Sequence, residues 1–352
     1  MANILPLKKT NQKAAAFKHA PFAKVGDFWH APVTGRDTNS AFITLVSKEM
    51  RAAVRSWKFT ILILLVTLIF IASSYVSMLA LSNLRDAVTS EKFHLYLKLF
   101  TTSEQSIPPF YVFLNFLAPL LGISLGFDSI NSERNNGTLM PLLSQALFRD
   151  DVLLSKFIGP LNVVAILFLS ITLMMLGTVM LITGVPLSPM EFTRIILFVL
   201  ITILYVGFWL SFAVFCSIVF NQPSTSALAA IGLWLFFTVF YPMLVNLLMT
   251  MLVANPGNLQ ESEYLQYADI AINLSRISPS QLYNDATATL LIPSVRTLGP
   301  MSLEQTFGAI PSDLTVSNSL TIIFPQLSGL LASSVTIFAL CYFLFMRKEI
   351  RA

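Results

Sequence analysis

The residues best suited to chemistry in this sequence crowd into one stretch, GFDSINSERNNGTLMPLLSQALFRDDVLLSKFIGP, residues 126–160, where Asp128, Glu133, Arg134, Arg149, Asp150, Asp151 and Lys156 lie between two apolar runs. Carboxylates and cations so mixed form ion pairs and docking surfaces. Elsewhere the candidates stand apart. His19, His30 and His94 have no Cys or carboxylate at ligand spacing, so no metal site is assigned. Cys216 and Cys341 sit inside apolar runs and read as small hydrophobes. Ser73 and Ser74 have no base beside them and suit helix packing better than nucleophilic attack. No G-x-x-x-x-G-K-[ST] occurs, so the chain cannot hydrolyse ATP through a P-loop of its own. It is not read as an enzyme: no catalytic residue, cofactor or nucleic-acid partner is assigned to it.

The elements that must position these charges are membrane spans. Of 352 residues, 55% are hydrophobic and 11% charged, against roughly 25% charged in soluble domains. Six charge-free runs exceed the ~20 apolar residues a spanning helix needs: Phe59–Leu84, Ile107–Phe127, Phe157–Leu187, Ile195–Phe220, Ala227–Val253 and Leu320–Met346. Barrel strands would alternate apolar and polar residues, and nothing here does. The fold class is therefore an all-α polytopic membrane protein with six transmembrane helices. None of the runs holds Asp, Glu, Lys, Arg or His, which disfavours a proton relay and leaves ion coupling only through backbone carbonyls.

Orientation follows from Lys and Arg. Sixteen of the 22 fall before the first run, between the second and third, or after the sixth. This predicts both termini and residues 126–160 in the cytoplasm, with the 254–319 segment outside. The first 58 residues lack the apolar core and cleavage site of a signal peptide, so the first span is expected to stay as an uncleaved anchor.

The chain divides accordingly. Residues 1–40, scattered with lysines and prolines, read as a cytoplasmic arm near anionic lipid. Over 41–57, Phe42, Val46, Met50, Ala53, Val54 and Trp57 recur at spacings of three and four, which predicts an interfacial elbow helix. Spans one to five occupy 58–253, and span six with a cytoplasmic tail occupies 320–352. In the 254–319 segment Ser278, Pro279 and Gln281 spell a capping box, with Ile277 and Leu282 as a hydrophobic staple. A helix from Pro279 to about Ile292, and a shorter one after Ser302, would make a small extracytoplasmic helical cap.

Within the charged stretch, Asn135-Asn136-Gly137 is a turn signal and Thr138 is placed to cap a short helix over 138–148, with Pro141 tolerated in its first turn. Leu139, Leu142, Leu143, Ala146 and Leu147 then share one face. Asp150 and Asp151 open the next helix at the end where negative charge is favoured. On physics alone the short helix either rests on lipid or docks into a groove of another protein.

Residues Asp128, Glu133, Arg134, Gly137, Thr138, Leu139, Leu143, Ser144, Arg149, Leu154 and Lys156 give this stretch a pattern that resembles the segment after the second span in ABC transporter permeases of the second, export-type class. The six spans, the elbow and the long segment before span six are similar too. ISPSQLYNDATATLLIPSVRTLG resembles the branch of nitrous-oxide-reductase maturation and gliding-motility permeases, although the 1–40 arm is longer than that branch's start. The resemblance implies a coupling helix over 138–148 seated in a separate P-loop ATPase subunit that binds ATP and Mg. Contacts to it would come from Glu133, Arg134, Gly137, Thr138, Leu139, Leu142, Leu143, Leu147 and Arg149. It also implies a second permease copy or homologous permease, a prokaryotic cell (inner) membrane, and export of an amphipathic or lipid-like substrate or peptide along a path for which Asn115, Asn162, Asn246 and Gln326 are neutral candidates. The alternative is a membrane anchor or assembly subunit acting on an external accessory protein without passing a substrate. Ser278, Gln281 and Leu282 are the residues expected to hold the cap.

Overall fold

Apolar runs of this length have no water to bond their amides in a membrane, so each must close its hydrogen bonds as a helix. In the computed structural model, which describes residues 38–83, 94–101, 108–144, 148–252, 261–294 and 314–347, they do so. The helices are α1 (Thr38–Arg55), α2 (Trp57–Asn83), α3 (Leu95–Thr101), α4 (Phe110–Gly126), α5 (Asn131–Asn135), α6 (Leu139–Leu143), α7 (Arg149–Thr183), α8 (Pro189–Val219), α9 (Pro223–Leu235), α10 (Tyr241–Leu252), α11 (Glu261–Ser275), α12 (Pro279–Leu291) and α13 (Val316–Arg347). A π-helical turn, Phe236–Phe240, joins α9 to α10 in one continuous span. Among the described residues six stretches are long and apolar enough to cross a membrane, each overlapping one predicted run. Residues 1–40 form a unit of their own, of which only the start of α1 is described, and residues 41–352 form the other.

The fourth span, α8, is the hub of the second unit, with α4, α7, α9, α12 and α13 packed around it. Its closest neighbour is α4, and the reason is Gly-Ile-Ser-Leu-Gly, residues 122–126. A Cβ on Gly122 would stand 2.7 Å from the Val206 carbonyl oxygen, and one on Gly126 would stand 2.8 Å from Ala213 Cβ. Small residues four apart let two backbones touch, which is the main source of helix association where lipid is as apolar as leucine. Gly159 does the same for α1 against α7, where a Cβ would stand 2.7 Å from Glu49 Cβ.

The segment after the fifth span, expected as a small helical cap, packs on the spans. Its α11 and α12 form a hairpin, and α12 lies between α8 and α13 with Tyr283, Ala286, Leu290 and Leu291 buried. Tyr283 stacks on Tyr205 at 4.4 Å and its hydroxyl lies 3.0 Å from Thr202 Oγ1, well inside the fourth span. The predicted start of α12 at Pro279 holds, but the capping box does not form. Ser278 Oγ instead donates to the Phe237 carbonyl in the π turn, and Gln281 Nε2 donates to Asp285 Oδ1 at 2.7 Å. Ile277 is exposed, so the staple is absent, while Leu282 packs on the core. The four buried apolar side chains of α12 favour this packing against the spans. The helix predicted after Ser302 lies outside the described residues.

The hairpin carries charge to a level where the spans have none. Arg276 Nε lies 3.4 Å from Asp285 Oδ2, beside the π turn of the fifth span. The pair has no net charge. At the far end of α12, buried Arg194 donates to the Leu290 carbonyl at 2.8 Å and to the Leu314 carbonyl at 2.5 Å, tying the starts of α8 and α13 to the end of the hairpin. Of the neutral path candidates, Asn162 and Asn246 are exposed on the single chain, whereas Asn115 is half-buried and Gln326 buried.

Candidate functional site

The charged stretch folds against the end of the bundle where α4 stops and α7 starts. Ser217 Oγ of α8 accepts the backbone N–H groups of Ile130 and Asn131 at 2.9 and 3.1 Å, which fixes the turn out of α4. Helix α5 follows, and Asn135-Asn136-Gly137 reverses the chain. Gly137 takes φ +68°, the left-handed region that glycine enters without a Cβ penalty. The turn delivers α6 directly after it.

Buried Lys156, from the second turn of α7, sits at the centre of the site. Its Nζ lies 2.9 Å from Glu133 Oε1 of α5 and 3.4 Å from Glu49 Oε1 of α1. Lys48 Nζ reaches the same two carboxylates at 3.4 Å each. Desolvation alone would lower the Lys48 pKa, but Glu49 and Glu133 outweigh it and hold it above its ordinary value. Two lysines and two glutamates thus join α1, α5 and α7. Charge is neutralised pairwise, as partly buried ions require. Beside them Lys58 pairs with Asp128 and lies over the Phe127 ring, 4.1 Å from its centroid, which ties the start of α2 to the end of α4. On the other flank Arg134 NH1 donates to Asn221 Oδ1 at 2.7 Å and Asn135 Nδ2 to the Asn221 carbonyl, which fastens α5 to the link between α8 and α9.

The predicted site residues therefore separate into two groups. Glu133 and Arg134 are engaged inside the chain. Thr138 stands before α6 as expected but does not cap it, since its Oγ1 donates to the Glu133 carbonyl at 3.2 Å. Leu139, placed on the outward stripe by periodicity, is buried against the bundle. Asn135, Asn136, Gly137, Thr138, Met140, Pro141, Ser144, Phe148 and Arg149 form the exposed side, with Leu142 half-buried. Leu143 ends α6 among the described residues, and residues 145–147 of the expected 138–148 helix, Leu147 among them, lie outside the described residues. Ser278, Gln281 and Leu282 belong to the hairpin and take no part. Lys48, Glu49, Lys58 and Asn221 were missed. The signal for the first two was present in the polar side of the elbow helix, but periodicity does not say what faces it.

What the arrangement can do mechanically is transmit: a short exposed turn and helix are cross-linked by ion pairs and amide bonds to α1, α7 and the α8–α9 link. Comparison with known proteins accords with this. Residues 43–350 match the family model described as ABC-2 family transporter protein. Over 60 residues the chain is 40% identical to the probable ABC transporter permease protein NosY of Stutzerimonas stutzeri, a match covering 17% of this chain and 22% of that relative's length.

Proposed function

This chain belongs to the ABC-2 family of transporter proteins, as a permease subunit, and from that membership we propose that it converts ATP hydrolysis in a separate P-loop ATPase subunit into movement of its own spans. The exposed turn and α6 are the contact surface for that subunit. The observation that carries the reading is the Lys156–Glu133–Glu49 linkage, because it makes any push on α5 and α6 a push on α1 and α7 at once. Glu133 and Arg134 act as positioning residues behind the contact, and Met140, Leu142, Leu143 and Arg149 meet the partner. ATP and Mg belong to the partner.

In this reading both termini and the charged site face the cytoplasm, with α1 as the interfacial elbow. A second permease copy or a homologous permease completes the path. The cargo is amphipathic or lipid-like, or a peptide, since the six apolar runs carry neutral polar groups and no fixed charge to bind a bare ion. The resemblance to the maturation and motility branch, joined by the partial match to NosY, favours a second reading in which the same contact drives an anchor or assembly subunit that moves an external protein. ATP-dependent uptake of cargo into inverted vesicles separates the two, and only the permease reading requires it.

The contact itself is tested with a photo-crosslinking residue at Met140, which is exposed. It should capture a P-loop ATPase in cells, whereas the same group at Leu181, exposed at the other end of α7, should not. Equal capture from both positions, or from neither, counts against the assignment.

A further inference from the structure

A cavity of about 210 Å³ opens between α1, α4 and α7, beside the ion-pair network, and is lined by Glu49, Ala52, Ser56, Lys58, Asp128 and Ser129 together with Glu133 and Lys156. Its level relative to the spans is set by the sequence. Lys58 immediately precedes the first charge-free run, Asp128 immediately follows the second and Lys156 immediately precedes the third. The cavity is thus ringed by the outermost charges of three spans, the height at which lipid headgroups lie. Ala52 and Lys58, on its wall, are exposed, and next to them Val54 of α1 and Trp57 at the start of α2 face outward, an apolar and aromatic edge suited to the interface.

Its chemistry is selective. Three carboxylates line it against two lysines, and both lysines are already paired, Lys58 with Asp128 and Lys156 with Glu133 and Glu49. Glu133 Oε2 and Ser129 Oγ are shielded from solvent and have no hydrogen-bond partner among the described residues. A shielded carboxylate oxygen calls for a donor, and a charged N–H donor satisfies it best. We propose that this cavity binds the headgroup of an aminophospholipid, with the Glu133 side chain turning its unpartnered oxygen to accept from the primary ammonium and the phosphate held at the mouth by Lys58. A choline headgroup has no N–H to offer and a glycerol headgroup has no cation, so phosphatidylethanolamine is favoured over phosphatidylcholine and phosphatidylglycerol. The binding stands on the cavity and not on the ATPase reading. If that reading also holds, the lipid becomes a regulator, because it would brace α1 against α4 and α7 where the linkage runs.

The test uses the full chain in nanodiscs of mixed phosphatidylethanolamine, phosphatidylcholine and phosphatidylglycerol, followed by native mass spectrometry of retained lipid. Wild type should keep phosphatidylethanolamine about ten-fold over phosphatidylcholine, the scale of one charge-assisted hydrogen bond. Ala52→Phe, at the exposed wall, and Ser129→Leu, inside, should each abolish that preference; Ala52→Phe keeps the test valid if Ser129→Leu fails to fold. Equal retention of the lipids by wild type, or an unchanged preference in folded Ala52→Phe, overturns the proposal. Neither result bears on whether Met140 meets an ATPase, so failure here and failure there are separable.

Discussion

The Lys156 ammonium, buried at the start of the third span, lies 2.9 Å from the Glu133 carboxylate, 23 residues earlier in the chain and on the far side of an exposed turn. Because the ammonium is buried, the pair does not behave as a surface salt bridge. Removing one partner strands a charge and costs about 3–5 kcal/mol, whereas replacing both is close to neutral. Lys156→Met and Glu133→Gln should therefore each lower the thermal unfolding midpoint in detergent more than the double variant does. A double variant as unstable as the sum of the singles would show that the two side chains act independently.

Helix α4 meets α8 at Gly122, where a Cβ would stand 2.7 Å from the Val206 carbonyl oxygen and 2.9 Å from the Leu210 amide nitrogen. Backbone cannot swing aside as a side chain can, so Gly122→Ala should destabilise by about 1–3 kcal/mol, the usual cost of overpacking. Gly177, in the middle of α7, has nothing within 4 Å of its Cβ position. Gly177→Ala should be neutral or stabilising by up to about 1 kcal/mol, since glycine is the poorer helix former. Equal effects in a thermal melt would mean that α4 and α8 are not in backbone contact.

Three cysteine substitutions read the orientation and the hairpin together. Ser294, just beyond α12, and Asn135, at the end of α5, are both exposed, whereas Gln281 is partly covered inside the hairpin. Ser294→Cys should react with an impermeant thiol reagent in intact cells, and Asn135→Cys only after the inner face is opened. Gln281→Cys should react more slowly than Ser294→Cys from the same side. Labelling of Asn135→Cys in intact cells contradicts the orientation, and rapid labelling of Gln281→Cys contradicts the packed hairpin.

The spans were legible because charge and length alone decide them: among the described residues each of the six long apolar helices overlaps one predicted run. The start of α12 at Pro279 was equally local, with the proline at the first helical position. What periodicity cannot supply is the identity of the facing surface. Leu139 and Leu142 share one face of α6, yet the bundle takes Leu139 and leaves Leu142 half-exposed. The six acidic residues and two arginines of the segment after span five suggested water, but Arg276 and Asp285 neutralise each other, and α12 enters the bundle. Ser278 shows the limit most plainly. Its position before Pro279 fits a cap, but its hydroxyl donates to the Phe237 carbonyl of the π turn, 41 residues away. Glu133 matched a family pattern at the level of sequence, and only its tertiary neighbours Lys48 and Lys156 show that it faces inward.

ATP hydrolysis by the complex of this chain with its ATPase subunit in proteoliposomes tests the central claim most directly. Leu142→Asp together with Leu143→Asp puts two charges into the contact without touching the Lys156–Glu133 pair. The account predicts normal insertion and normal detergent stability, with loss of the ATPase from the purified complex or hydrolysis no longer answering to the permease. Retention of the subunit together with wild-type coupled activity in the double variant would contradict it.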